Sequence, residues 1–338
     1  MTMMPVLSRP SRTIAPQLAS SGCATLQVAV VNNMPDAALR TTERQWRELL
    51  AAASEGSFDV AVRFYSLPEV PRGDAGKAHV AEKFAPIDEL WAGGIDGLVV
   101  TGTEPIAPHL VDEPYWPALT RLIDWAAANT ISTLWSCLAA HAAVRHLDGI
   151  DRRPLGDKLS GIYESTRLAD HPLTAAAPAR WRAPHSRLNE LPEEALTRNG
   201  YRILAHSDDA GADVFMKECG DSLFLFLQSH LEYDGGALLR EYRRDIKRFL
   251  AGESRKYPQM PRNYFDDEVA EVLAELRAQA MEEKGIDLIE NFPAAADKSR
   301  DFPWREPAIG LCAGWLRCLA AGKADARPAA ALAEPVIA

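Results

Sequence analysis

Ile131-Ser132-Thr133-Leu134-Trp135-Ser136-Cys137-Leu138-Ala139-Ala140-His141-Ala142-Ala143-Val144 is the stretch whose reading decides the fold. Its first half, taken from Thr130 to Ser136, is a short apolar run of β type. Its second half, taken on to Leu147, is Ala-rich and apolar nearly all round, which predicts a buried helix. Cys137 stands where the two meet. A strand-to-helix turn lifts a side chain above the sheet edge, and the helix N-terminus aimed at it favours thiolate over thiol.

Outward from this stretch, strand and helix patterns alternate. Leu26–Val31, Val60–Leu67 and Asp96–Gly102 read as strands. A helix carrying Trp46, Leu49 and Leu50 on one face follows the first, and Tyr115–Ala128 repeats apolar residues at helical spacing. The alternation predicts an α/β fold with a mostly parallel sheet covered by helices on both faces. Ligands of such sheets sit beyond the carboxyl ends of the strands. After Gly149 the pattern is less regular, with short strands at Tyr201–Ala205, Asp213–Lys217 and Leu223–Gln228. Helices are expected over Asp234–Leu250, Phe265–Met281 and Ile309–Leu319. Residues 1–24 read as an N-terminal tail, 25–321 as the α/β domain with added C-terminal helices, and 322–338 as a disordered Ala/Pro-rich tail.

A net charge of −10 argues against a nucleic-acid surface, and no apolar run approaches the roughly 20 residues of a membrane span. The five cysteines are odd in number and lack C-x-x-C spacing, which favours a reducing cytoplasm over a disulfide framework. No histidine shows metal-ligand spacing, so no metal is expected.

The second chemical signal is Gln228-Ser229-His230-Leu231-Glu232, at the end of an apolar strand. Residues i and i+2 of a strand point the same way, so Glu232 is placed to orient the His230 imidazole. With Cys137 this supplies a nucleophile, a base and an orienter. His141, one helical turn past Cys137, is a second candidate base. Gly102-Thr103-Glu104-Pro105 follows a strand; it is either a plain turn or half of an oxyanion hole completed by the Leu138 N–H. Lys158 and Arg244 are candidate cations, with ordinary solvated side chains as the competing reading. Cys312 and Cys318 fall in the last apolar helix and read as packing residues.

At these residues the sequence resembles the homoserine O-acyltransferase family of the succinyltransferase type, whose members share the class I glutamine amidotransferase fold. The likeness is carried in order by Ile131-Ser132-Thr133-Leu134-Trp135-Ser136-Cys137, Asp157-Lys158-Leu159-Ser160-Gly161-Ile162-Tyr163-Glu164 and Ala183-Pro184-His185-Ser186-Arg187. It continues through Ser229-His230-Leu231-Glu232-Tyr233-Asp234, Glu241-Tyr242-Arg243-Arg244-Asp245, Asn263-Tyr264-Phe265 and Trp304-Arg305. The resemblance implies Cys137 as acyl-thioester nucleophile, His230 as proton acceptor and Glu232 as its orienter. It implies Lys158, Ser186 and Arg244 at substrate-contacting positions, acyl-CoA (succinyl-CoA or acetyl-CoA) as cosubstrate without a bound cofactor, homoserine as acceptor in methionine biosynthesis, and a homodimer. The Gly102–Ile106 loop, with Thr103, would share the oxyanion with Leu138. Ile106 falls where family members carry the glycine or glutamate that separates succinyl from acetyl donors, and Glu104 is its close neighbour. A glutaminase shares the nucleophile and base, but its elbow usually carries glycines where Trp135 and Ala139 stand here. A noncatalytic amino-acid or acyl-CoA binder is the other alternative.

Overall fold

The computed structural model describes residues 25–283, 285–293 and 303–326. Among them the strands are β1 (Leu26–Val31), β2 (Val60–Tyr65), β3 (Gly97–Val100), β4 (Ser132–Ser136), β5 (Arg153–Arg167), β6 (Arg180–Glu190), β7 (Arg202–Ser207), β8 (Gly211–Cys219) and β9 (Ser222–Leu227). The helices are α1 (Asp36–Ser54), α2 (Asp74–Lys83), α3 (Ile87–Trp91), α4 (Trp116–Asn129), α5 (Leu138–Asp148), α6 (Glu193–Arg198), α7 (Ala237–Leu250), α8 (Asp267–Glu282) and α9 (Arg305–Ala326).

One nine-stranded sheet runs in the order β2-β1-β3-β4-β9-β8-β7-β5-β6. From β2 to β9 every pairing is parallel. From β9 to β6 every pairing is antiparallel. The α/β core expected from the alternation is present, and the antiparallel strands extend it. The two faces follow from side-chain alternation along each strand. Ala29, Val31, Leu98, Val100 and Trp135 pack with α4 and α5, while Val28, Val30, Val99 and Leu134 pack with α1 and α9. Covered on both sides, the parallel strands carry continuous apolar runs.

Three sequence expectations need correction. β5 and β6 are long paired strands, and the segment around Lys158 lies inside β5, at a break in register between Pro154 and Leu159. Pro154, Gly156 and Gly161 interrupt the strand pattern there. β9 stops at Leu227 and α7 starts at Ala237, so residues 228–236 form a turn. Residues 322–326, expected in the tail, continue α9 as far as Ala326. Lys323 anchors that last turn, donating to the Thr25 carbonyl at 2.9 Å and to Asp96 at 2.6 Å. Residues 1–24 and 327–338 lie outside the described residues.

Candidate active site

Cys137 occupies the turn between β4 and α5 with φ 51° and ψ −113°. A non-glycine residue in that conformation costs about 1–3 kcal/mol, which surrounding contacts must offset. Here the Cys137 N–H donates to the Leu227 carbonyl at 2.8 Å, and its carbonyl accepts from the His141 N–H at 3.2 Å. Because β4 pairs in parallel with β9, Ser136 beside Leu227, both chains leave the sheet at the same carboxyl edge. Three residues past Leu227, the His230 N–H donates to the Pro184 carbonyl of β6 at 2.9 Å.

This placement brings the His230 ring close enough to Cys137 for the two side chains to act on each other. Glu232 Oε1 lies 2.9 Å from His230 Nδ1, which leaves Nε2 for the sulfur. The pair meets within the 228–236 turn, not on one face of a strand; Tyr233 N–H closes that turn on the His230 carbonyl at 3.3 Å. Tyr233 stacks on the imidazole, with ring centroids 4.2 Å apart. Burial opposes charge on His230, but Cys137 and Glu232 outweigh it and hold the imidazole well above its usual range. The arrangement favours the protonated imidazole.

The turn after β3 packs on the α5 N-terminus. A Cβ at Gly102 would sit 3.0 Å from Leu138 Cβ and 3.2 Å from its nitrogen, so any side chain there would push against the helix start by a few tenths of an ångström. The Leu138 N–H, at the first helical position, has no hydrogen-bond partner among the described residues. Gly102 thus lies against Leu138, the residue that follows Cys137. Ile106 differs from expectation. Its N–H donates to Glu113 Oε1 at 2.8 Å, which commits the backbone donor expected for the oxyanion, and its side chain is 68% exposed. Glu104 reaches across to Arg248 of α7, at 2.6 and 3.1 Å, and that hydrogen-bonded pairing lowers its pKa.

A polar network lies behind the imidazole. Lys158 Nζ donates to Glu241 at 3.1 Å and to Asp245 at 2.8 Å. Ser186 Oγ and Tyr233 OH also donate to Glu241. Burial raises the Glu241 pKa, but Lys158, Ser186, Tyr233 and Arg244 together pull it down to about 2. Arg244 donates from Nε and Nη2 to Asp245 at 3.0 and 2.9 Å. The structure therefore groups Lys158, Ser186 and Arg244 around two acids of α7. Glu241 escaped the sequence reading as a site residue. Its signal was helical spacing, since Glu241 and Asp245 are one turn apart beside Arg244.

His141 is excluded as the base. It is buried, its Nε2 faces Gln228 Oε1 at 3.1 Å, and burial pushes its pKa down to about 3. His185 is wholly buried behind His230, and desolvation holds it well below the usual range. Burial pushes the Cys219 thiol up to about 11 and Cys312 up to about 12, which leaves them inert. Among the described residues no group of His, Cys, Asp and Glu is placed to hold a metal ion, and no helix is long and apolar enough to cross a membrane.

The profile of a family described as "HTS: Homoserine O-succinyltransferase" matches residues 12–323 of the chain. A homoserine O-succinyltransferase of Methylorubrum extorquens is 49% identical over 292 residues, covering 86% of each chain. One from Rhodopseudomonas palustris is 44% identical, covering 82% of this chain and 83% of its own. Among solved structures, a glutamine amidotransferase from Thermotoga maritima superposes with a TM-score of 0.46 at 14% identity, over 87% of this chain and 98% of that one.

Proposed function

The chain belongs to the homoserine O-succinyltransferase family, and on that premise we propose that it moves a succinyl group from succinyl-CoA to the hydroxyl of homoserine through an acyl-enzyme on Cys137. The product is an activated ester for methionine biosynthesis. The observation that carries the mechanism is the His230–Glu232 hydrogen bond set beside Cys137 at the carboxyl ends of β4 and β9.

The Cys137 thiolate attacks the thioester carbon, and the oxyanion forms toward the Leu138 N–H and the Gly102–Thr103 turn. As the carbon–sulfur bond to coenzyme A breaks, the His230 imidazolium gives its proton to the leaving thiolate. The neutral imidazole then takes the proton of the homoserine hydroxyl as that oxygen attacks the acyl-cysteine. Collapse of the second tetrahedral species releases the ester and restores the thiolate–imidazolium pair. Glu232 stabilises the imidazolium in the resting enzyme and again as the homoserine hydroxyl gives up its proton. The Arg244 fork suits the carboxylate of the amino acid, and Lys158 adds positive charge held in place by Glu241 and Asp245. Family membership also supports a homodimer in the cytoplasm that binds no cofactor beyond its cosubstrate.

Intact-protein mass spectrometry tests this reading. Succinyl-CoA alone adds one succinyl group to the wild type and none to Cys137→Ala, and homoserine then removes it. A stable adduct on the Cys137→Ala protein, or none on the wild type, would defeat the mechanism.

A further inference from the structure

Asp213 of β8 is a wholly buried carboxylate that no step of the transfer uses. Withdrawing such a group from water is unfavourable unless hydrogen bonds replace the lost hydration, so its partners indicate its role. Ser165 Oγ of β5 donates to Oδ2 at 2.5 Å, and the Ser229 N–H donates to Oδ1 at 3.2 Å. His185 Nε2 stops 3.7 Å from Oδ1, and burial holds that imidazole well below its usual range, so it stays neutral.

The Ser229 N–H stands where the chain turns away from β8. The ladder between β8 and β9 pairs Val214 with Leu227, and it continues for one more bond, from the Gln228 N–H to the Asp213 carbonyl at 2.9 Å. The next N–H, that of Ser229, goes to the side chain of the same aspartate. The one after it, that of His230, leaves β8 and donates to the Pro184 carbonyl of β6 at 2.9 Å. Three consecutive N–H groups are thus tied in turn to the backbone of β8, to a side chain of β8 and to β6. Gln228 anchors the start of the turn, since its Nε2 donates to the Ala212 carbonyl at 2.5 Å and its Oε1 accepts from the Leu191 N–H at 3.0 Å. One residue past Ser229, the His230 ring meets Glu232 and stacks on Tyr233. The direction in which the chain leaves Ser229 is therefore carried straight to the imidazole.

We infer that Asp213 is a positioning residue for the catalytic base: its Oδ1 replaces the ladder acceptor lost where β9 ends, holds the Ser229 N–H, and so sets the direction in which His230 is presented to Cys137. What the turn requires is an acceptor at this place, not a negative charge. Burial raises the Asp213 pKa against the pull of Ser165 and Ser229, which agrees with an acceptor that need not be ionised. The inference rests on the acyl-enzyme reading above.

The test measures succinyl transfer to homoserine in full-chain wild type, Asp213→Ala, Asp213→Leu and Asp213→Asn. Alongside it, the pH dependence of alkylation by iodoacetamide is followed on the peptide that carries Cys137. In Asp213→Ala, kcat falls by at least about tenfold, the lower end for loss of a hydrogen bond to a charged group, with KM for homoserine little changed. The alkylation profile shifts to higher pH as His230 moves away from the sulfur. Asp213→Asn, which keeps an oxygen facing the Ser229 N–H, recovers most of the rate and the wild-type profile. Asp213→Leu fills the space without an acceptor and behaves as Asp213→Ala does; it decides the matter if the alanine protein fails to fold. A folded Asp213→Ala or Asp213→Leu protein with wild-type kcat and alkylation profile overturns the inference, and so does an Asp213→Asn protein as impaired as Asp213→Ala. Absence of any succinyl adduct on the wild type would instead defeat the acyl-enzyme reading itself.

Discussion

Replacing Glu232 by glutamine keeps the length and polarity of the side chain but removes its charge, and so isolates the electrostatic support of His230. The wild-type contact is a 2.9 Å bond between two side chains that are each less than 10% exposed, at 7% for His230 and 6% for Glu232. Solvent and salt therefore screen it weakly. A buried hydrogen bond to a charged group contributes about 1.5–3 kcal/mol. At about 1.4 kcal/mol per tenfold in rate, kcat/KM should fall about 10- to 150-fold in Glu232→Gln. The pH profile gives a second readout. Glu232 and Cys137 together hold the imidazolium above its usual range, against the cost of burial. With one support removed, the imidazolium loses its proton at lower pH, so the alkaline limb of kcat/KM moves down. The assay is release of free coenzyme A from succinyl-CoA across the pH range, with the thermal midpoint recorded alongside to separate loss of charge from loss of fold. A rate within threefold of wild type and an unmoved alkaline limb, in a protein that melts normally, would refute the assigned role of Glu232.

Two further outcomes concern stability. The folded-state pKa of Glu241 is depressed from 4.5 to about 2, so its stabilisation is complete above the unfolded value and is lost as pH falls through that window, amounting to about 3 kcal/mol. Urea unfolding of Glu241→Gln should show a shallower decline with acid than wild type below about pH 4.5, and parallel declines would argue against this linkage. Gly161 has φ 141°, and a Cβ there would lie 2.4 Å from both the nitrogen and the oxygen of Arg262. Gly161→Ala should destabilise by about 2–4 kcal/mol through backbone strain and overpacking; a chemical-denaturation midpoint equal to wild type would contradict the close approach of β5 to that segment.

Much of the parallel half was legible because its signals are local. β1, β3 and β4 are short apolar runs, and α1 and α4 each declare one buried face through spacing. Cys137 could be singled out for the same reason, since a strand-to-helix junction is written in adjacent residues. Within the antiparallel extension β5 and β6 were missed because Pro154, Gly156, Gly161 and Pro184 punctuate them, and only their mutual pairing holds them extended. His230 and Glu232 were matched correctly, but on the argument that both point from one strand, whereas the chain has already turned when they meet.

The amino-acid order by itself determined which elements form, where the thiol stands at its helix, and which family the motifs match, because all of these depend on neighbours in sequence. Tertiary structure alone decided which groups share a site. It carried His230 to Cys137 across the β4–β9 pairing, drew Lys158 and Ser186 onto Glu241, turned Ile106 outward and set the Asp213 carboxylate against the Ser229 N–H. The physical reason is that a charge's chemistry depends on distance and desolvation, and neither is defined until distant segments pack together.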